Sequence, residues 1–185
     1  MTNLEKWTTL NSQLIIHNQW CCVRQDTVSL PNGQVIDDYF VNVRPDIAVV
    51  LPITQAQEVV FVRQYRHGVQ KILLELPAGA FNPEEEDSIS AAARELEEET
   101  GYVAKTLIPL ATLYDNPVKD TNQIHVFLAK DVTRESQQNL DLTEDIEVVL
   151  IPLQEIQSKI KTGEISVSGT IATLYLGLNL LAHPY

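Results

Sequence analysis

Along most of the chain apolar residues come in short or alternating runs, and they recur at helical spacing in only three places. Residues 7–42 carry brief β-like runs. Within them Thr27–Leu30 and Gln34–Ile36 flank Pro31-Asn32-Gly33, and Asn-Gly accepts the positive φ angles of a type I′ turn, which predicts a hairpin in a small β meander. From Asp46 the pattern changes. Ile47–Leu51, Val59–Val62, Ile72–Leu76, Ile124–Leu128 and Ile146–Ile151 are apolar or alternating runs separated by turn residues, read as strands of a mixed sheet. Helical spacing predicts helices over 87–100, 153–162 and 169–181. Asp87 or Ser88 would cap the first and Gly101 would end it; the second stops before Gly163. In the third, Ile171, Leu174, Leu178 and Leu181 form one apolar stripe, read as core packing. There is no internal repeat and no low-complexity linker.

Composition narrows the class. The 185 residues suit one domain, or one with a small appendage, and 44% hydrophobic residues can bury a real core. Thirteen Lys+Arg against 25 Asp+Glu leave a net charge of −12, which repels phosphate backbones and acidic lipid, so neither nucleic acid nor a membrane is an expected partner. Cys21 and Cys22 are neighbours, and a bridge between them would be strained and would staple no loop. That points to a reducing compartment. The start lacks the basic and apolar regions of a signal peptide, and no apolar run approaches the roughly 18 residues of a membrane span. The expected location is cytoplasmic.

The first helix carries the chemistry. At about 100° per residue from Glu95, Glu98 falls near 300° and Glu99 near 40°, while Ala92, Leu96, Ile89 and Ala93 span about 60° to 160°. This places a carboxylate face beside a core face. Like charges at i, i+4 cost a few tenths of a kcal/mol per pair, roughly, in water and more where solvent is excluded, and a hard divalent cation bound through oxygen compensates them. A solvated acidic face is the alternative reading of that helix taken alone. His17, His67, His125 and His183 show no metal spacing, so zinc is not expected.

Gly79, a short loop, a glutamate, and then Arg94-Glu-Leu-Glu-Glu-Glu99-Thr-Gly101-Tyr102 resemble the Nudix box, the signature of the Nudix hydrolases. The family pattern sets five residues between the glycine and the first glutamate and seven between that glutamate and the arginine. Here the interval from Gly79 to Arg94 is one residue too long for both, so either Glu85 or Glu86 takes the position. A helix fixes its spacing and a loop tolerates an insertion, which selects Glu86. Val62-Arg-Gln-Tyr-Arg66, Glu75-Leu-Pro-Ala-Gly79, Ile124–Ala129 and Glu144-Asp-Ile-Glu-Val148 further resemble the ADP-ribose pyrophosphatase branch. Pro117 stands about fifteen residues past the box, where that branch has a proline, although Asn116-Pro117 is also simply a turn signal.

The resemblance implies an α/β fold, an α/β/α sandwich around a mixed sheet over residues 43–185. The β-rich appendage over 1–42 would serve dimerisation and closure of the substrate site. It implies Glu95 and Glu99 as direct ligands of Mg²⁺ or Mn²⁺, two or more ions in all, with Glu98 binding directly or through water. The carbonyl of Ala78 would be a further ligand, shaped by Pro77 and Gly79, and Glu86 would hold Arg94. Arg66, Glu75 and Arg63 are candidate substrate contacts, each arginine being equally suited to a salt bridge on an exposed strand. Trp20, Trp7 and Tyr39 lie in or near this appendage, where an adenine could stack on them, or where they would make core or dimer contacts. Glu144 is the candidate base, Asp141 and Asp145 are shorter alternatives on the same loop, and Glu147 is a weaker one. The implied activity is metal-dependent hydrolysis of the pyrophosphate of ADP-ribose or a related nucleoside diphosphate sugar by a homodimer, giving a nucleoside monophosphate and a sugar phosphate. Another nucleoside diphosphate derivative such as a dinucleotide, or a sensor without turnover, remains as an alternative; the intact Glu95, Glu98 and Glu99 argue against the sensor.

Overall fold

The computed structural model describes residues 4–183 and falls into two compact units. The first runs to Pro45 and takes in Tyr114–Asn122. Its strands β1 (Thr8–His17), β2 (Cys22–Ser29) and β3 (Val35–Asn42) form an antiparallel meander in that order. The β2–β3 connection corrects the expected type I′ turn. Proline fixes φ near −65°, so Pro31 leads a turn of ordinary hand, Asn32 stays outside the left-handed region, and Gly33 takes it at φ 82°. Gly33 N–H donates to the Leu30 carbonyl (2.9 Å) and Leu30 N–H to that of Gln34 (2.8 Å). The segment 114–122 is tied to β3 by Tyr39 O–H donating to the Val118 carbonyl (2.7 Å) and by Asn42 Nδ2 donating to Asp120 Oδ1 (2.7 Å). Edge strand β1 is exposed along its whole length, Leu10, Leu14, Ile15 and Ile16 included.

The second unit holds β4 (Asp46–Thr54), β5 (Glu58–Arg66), β6 (Lys71–Glu75), β7 (Ala78–Phe81), α1 (Ser88–Thr100), β8 (Tyr102–Val103), β9 (Leu107–Leu113), β10 (Ile124–Arg134), β11 (Ile146–Pro152), α2 (Ile156–Lys161) and α3 (Ser168–Ala182). Its sheet runs β11-β5-β4-β10-β8, with β6 on β5, β7 on β4 and β9 on β10. The β4–β10 pair is parallel and the others are antiparallel, so the sheet is mixed. Strand alternation sorts the core into two layers. Val49, Leu51, Ile53, Val59 and Phe61 pack with Ile156 of α2 and Leu174 of α3, whereas Ala48, Val50, Val60 and Phe127 pack with Ala91, Ala92 and Leu96 of α1. Burial on both faces is why β4 reads as one continuous apolar run. The unit is an α/β/α sandwich.

The ends of α1 are fixed by local chemistry. The Asp87 carboxylate accepts the N–H groups of Ser90 and Ile89 (3.0 Å each), which hold its pKa below the ordinary value. Gly101 closes the helix at φ 74°, and a Cβ there would run into the Ser136 carbonyl. The carboxylate and core faces expected side by side are merged. Ile89 and Ala93 are exposed, and the buried stripe runs through Ala91, Ala92, Glu95, Leu96, Glu99 and Thr100. The helix rests on the sheet through Ala91, Ala92 and Leu96, and turns Glu95 and Glu99 inward.

Candidate active site

Glu95 and Glu99 meet the irregular segment that leads into β7. Three bonds pin this segment: Leu76 N–H donates to Thr170 Oγ1 on α3 (3.1 Å), Val50 N–H to the Pro77 carbonyl (3.0 Å), and Ala78 N–H to Glu99 Oε2 (3.0 Å). Gly79 lies directly beneath the Glu95 carboxylate, and an added Cβ would occupy its space. Gly79 is thus required by close approach, not by its backbone angles. Because the atoms in conflict are the end of a flexible side chain, Gly79→Ala is expected to keep the fold, with a melting temperature within a few degrees of wild type. It should displace Glu95 and lower kcat at least tenfold; an assay at wild-type rate would remove Gly79 from the site.

Burial sets the electrostatics. It pushes Glu99 up to about 8, the Ala78 N–H opposing and the charges of Glu95 and Glu144 adding to the rise. Glu95 is raised for the same first reason, against the attraction of Arg94. Arg94 holds the outer side of the cluster. Its Nε and Nη2 donate to the two oxygens of Glu86 (3.1 and 2.9 Å), and its Nη1 to Glu95 Oε1 (2.6 Å) and Glu98 Oε2 (3.0 Å). These acceptors raise its pKa further, Glu86 first. Glu85 and Glu86 both donate their N–H to the Asn82 carbonyl (2.9 and 3.0 Å), so what singles out Glu86 is its side chain on Arg94.

On β5, Arg66 is gripped by buried Glu75 through Nε (2.8 Å) and Nη2 (3.1 Å), and lies near enough to Glu99 and Glu144 for their charges to raise its pKa beyond the effect of Glu75. Alternation sends Arg63 to the opposite face, where it pairs with exposed Glu147 across β11 (2.7 Å). Glu144 is half-buried on the loop before β11, whereas Asp141 and Asp145 are exposed. Its Oε2 accepts Asp141 N–H (2.9 Å), and its own N–H returns to the Asp141 carbonyl (2.9 Å). Eight site candidates are therefore brought together: Glu95, Glu98, Glu99, Arg94 and Glu86 on and around α1, and Arg66, Glu75 and Glu144 beside them. Trp20 and Pro117 belong to the first unit. Trp20 is exposed at the β1–β2 tip, and Pro117 lines a cleft of about 400 Å³ with Trp7, Arg24 and Tyr39. Sequence reasoning missed Thr170, which carried no signal beyond its place at the start of a predicted helix.

Among the described residues no three acidic, His or Cys side chains meet at one point as they stand, since Arg94 occupies Glu95 and Glu98. The donor set nonetheless fits a hard divalent cation. Two buried carboxylates one turn apart, both pushed toward protonation by burial and backed by a glycine with no side chain to block them, form a site whose charge a cation relieves.

A mixed-sheet sandwich with such a glutamate helix defines a class of hydrolases that work on phosphoanhydrides through divalent metal. Residues 43–171 match the NUDIX domain family and residues 7–42 match the nucleoside diphosphate sugar hydrolase N-terminal domain. The chain belongs to the Nudix family of hydrolases. It is 32% identical to an ADP-ribose pyrophosphatase of Bacillus subtilis, over 89% of this chain and 88% of that one. It is 33% identical to a methanol dehydrogenase activator of Bacillus methanolicus, over 96% of both. A crystal structure of an ADP compounds hydrolase superposes with TM-score 0.86 at 24% identity, covering 98% of this chain and 97% of that chain, which establishes the shared fold.

Proposed function

We propose that the chain hydrolyses the pyrophosphate bond of ADP-ribose or a related nucleoside diphosphate sugar, releasing a nucleoside monophosphate and a sugar phosphate. The observation that carries this reading is the buried pair Glu95 and Glu99 packed on Ala78 and Gly79, with the cation Arg66 beside it. The pyrophosphatase name of the Bacillus subtilis relative supports the substrate class. Glu95, Glu99, Glu98 and the Ala78 carbonyl would hold Mg²⁺ or Mn²⁺, two or more ions in all. When bound, the metal supplies neutralising charge to phosphate oxygens and Lewis acidity.

The chain's own groups do the rest. Glu75 locks the Arg66 guanidinium in place, so it meets the diphosphate with little entropy left to lose. Glu86 fixes Arg94, which in turn orients Glu95 and Glu98. Glu144 takes the proton of the attacking water. Arg63, held by Glu147, has the weaker claim to substrate. Trp20 offers an exposed indole for adenine, and Pro117 a wall of the cleft in the first unit. The adjacent thiols Cys21 and Cys22 support a cytoplasmic setting.

A panel of ADP-ribose, GDP-sugars and dinucleotides with Mg²⁺ or Mn²⁺ tests the reading. AMP and ribose 5-phosphate from ADP-ribose are expected, and no phosphate-bearing product from any compound would overturn it. The apolar side chains exposed on both faces of β1 support a homodimer. Leu14→Glu with Ile16→Glu is then expected to halve the mass seen by light scattering. A wild-type protein already monomeric at assay concentration rules the dimer out.

A further inference from the structure

The loop that carries Glu144 is joined at its neck by the side chain of Gln138. Gln138 Nε2 donates to the Glu99 carbonyl at the end of α1 (2.7 Å) and to the Ile146 carbonyl at the start of β11 (3.1 Å). The two acceptors lie in elements far apart in sequence. One belongs to a buried glutamate of the cluster, and the other follows Glu144 by two residues. The flanking backbone repeats the attachment: Asn139 N–H donates to the Glu98 carbonyl (2.9 Å), and Glu135 and Ser136 N–H donate to that of Gly101 (3.0 and 3.2 Å).

The last carbonyls of a helix have no partner within it. Here the carbonyls of Glu98 and Glu99 are taken up by residues 139 and 138, so the chain entering the 139–145 loop is moored to the helix that carries the glutamates. Gln138 also reaches the chain leaving that loop. Inside it, reciprocal bonds between Asp141 and Glu144 close a turn that is itself reached through the neck.

We infer that Gln138 is a positioning residue that sets the Glu144 carboxylate against the α1 glutamates by joining Glu99 and Ile146 through one amide. The inference rests on the proposed role of Glu144 as base. Gln138 touches neither substrate nor reacting atoms; its effect on turnover passes through the loop.

Gln138→Met keeps the length and removes both donors. In the full-length protein with Mg²⁺ and ADP-ribose, kcat is expected to fall at least tenfold, with KM and the Mg²⁺ midpoint within threefold of wild type. In a Glu144→Gln background the same substitution should cost less than twofold more, because its route to the reaction is already gone. A loss of stability without a positional role would not show that coupling. Gln138→Asn, which keeps the amide on a shorter stem, should lose less in the same direction and supplies the comparison if the Met variant does not fold. A Gln138→Met enzyme at wild-type kcat beside a crippled Glu144→Gln overturns this inference alone, as does a full tenfold loss in both backgrounds. A Glu144→Gln enzyme at wild-type kcat overturns the base assignment, and this inference with it.

Discussion

Glu99→Gln is expected to lower kcat by on the order of 10² or more, the cost of losing a charge that stabilises the transition state. The fold should survive, because Ala78 N–H can still donate to the amide oxygen. Stability without divalent cation should move the other way. Glu99 is held at about 8 in the folded protein, against about 4.3 for an unfolded glutamate. Between those values the folded chain binds the extra proton, so wild-type stability falls as pH rises through this window, by at most about 1.4 kcal/mol per pH unit for one proton. Glutamine carries no such penalty. Melting curves in chelator should therefore coincide near the unfolded pKa and separate in favour of Glu99→Gln toward pH 8, and adding Mg²⁺ should restore wild type alone. Full activity in the purified variant would defeat the assignment.

Glu144→Gln is expected to cut kcat by about 10² to 10⁴, the usual worth of a general base. The Mg²⁺ titration and KM should stay nearly unchanged, since the interaction removed is made only in the transition state. The half-buried position of Glu144 and its bond from Asp141 N–H favour it over exposed Asp141 and Asp145. If Glu144→Gln turns over at wild-type rate from pH 6 to 9 while Asp141→Asn or Asp145→Asn does not, the base is another acid of the loop. If all three variants turn over normally, the water is activated without a loop acid.

Some of this protein was written in local patterns. The helix over 88–100 announced itself through Asp87, Gly101 and its glutamates. The strands at 46–54, 58–66 and 124–134 showed as apolar runs, since a strand buried on both faces has few other compositions open to it. The glutamate spacing exposed the chemistry because a helix converts sequence interval into direction without help from the rest of the chain. Three strands escaped. Ala78–Phe81 is short and small-sided, Leu107–Leu113 contains a proline, and Tyr102–Val103 has two residues, so each is a strand only because a neighbour supplies its hydrogen bonds.

Only the tertiary structure decided which side of α1 is buried. The periodicity grouped Ile89 and Ala93 with the core, but the helix packs through Ala91, Ala92 and Leu96 and turns two carboxylates inward. It likewise decided that Gly79 lies under Glu95, that Arg66 is paired with Glu75 and Arg63 with Glu147, and that Gln138 bridges residues 39 and 8 positions away. The physical reason is common to all four. Local spacing fixes where a side chain points relative to its own element, whereas burial, close approach and long-range hydrogen bonds depend on which other element arrives there.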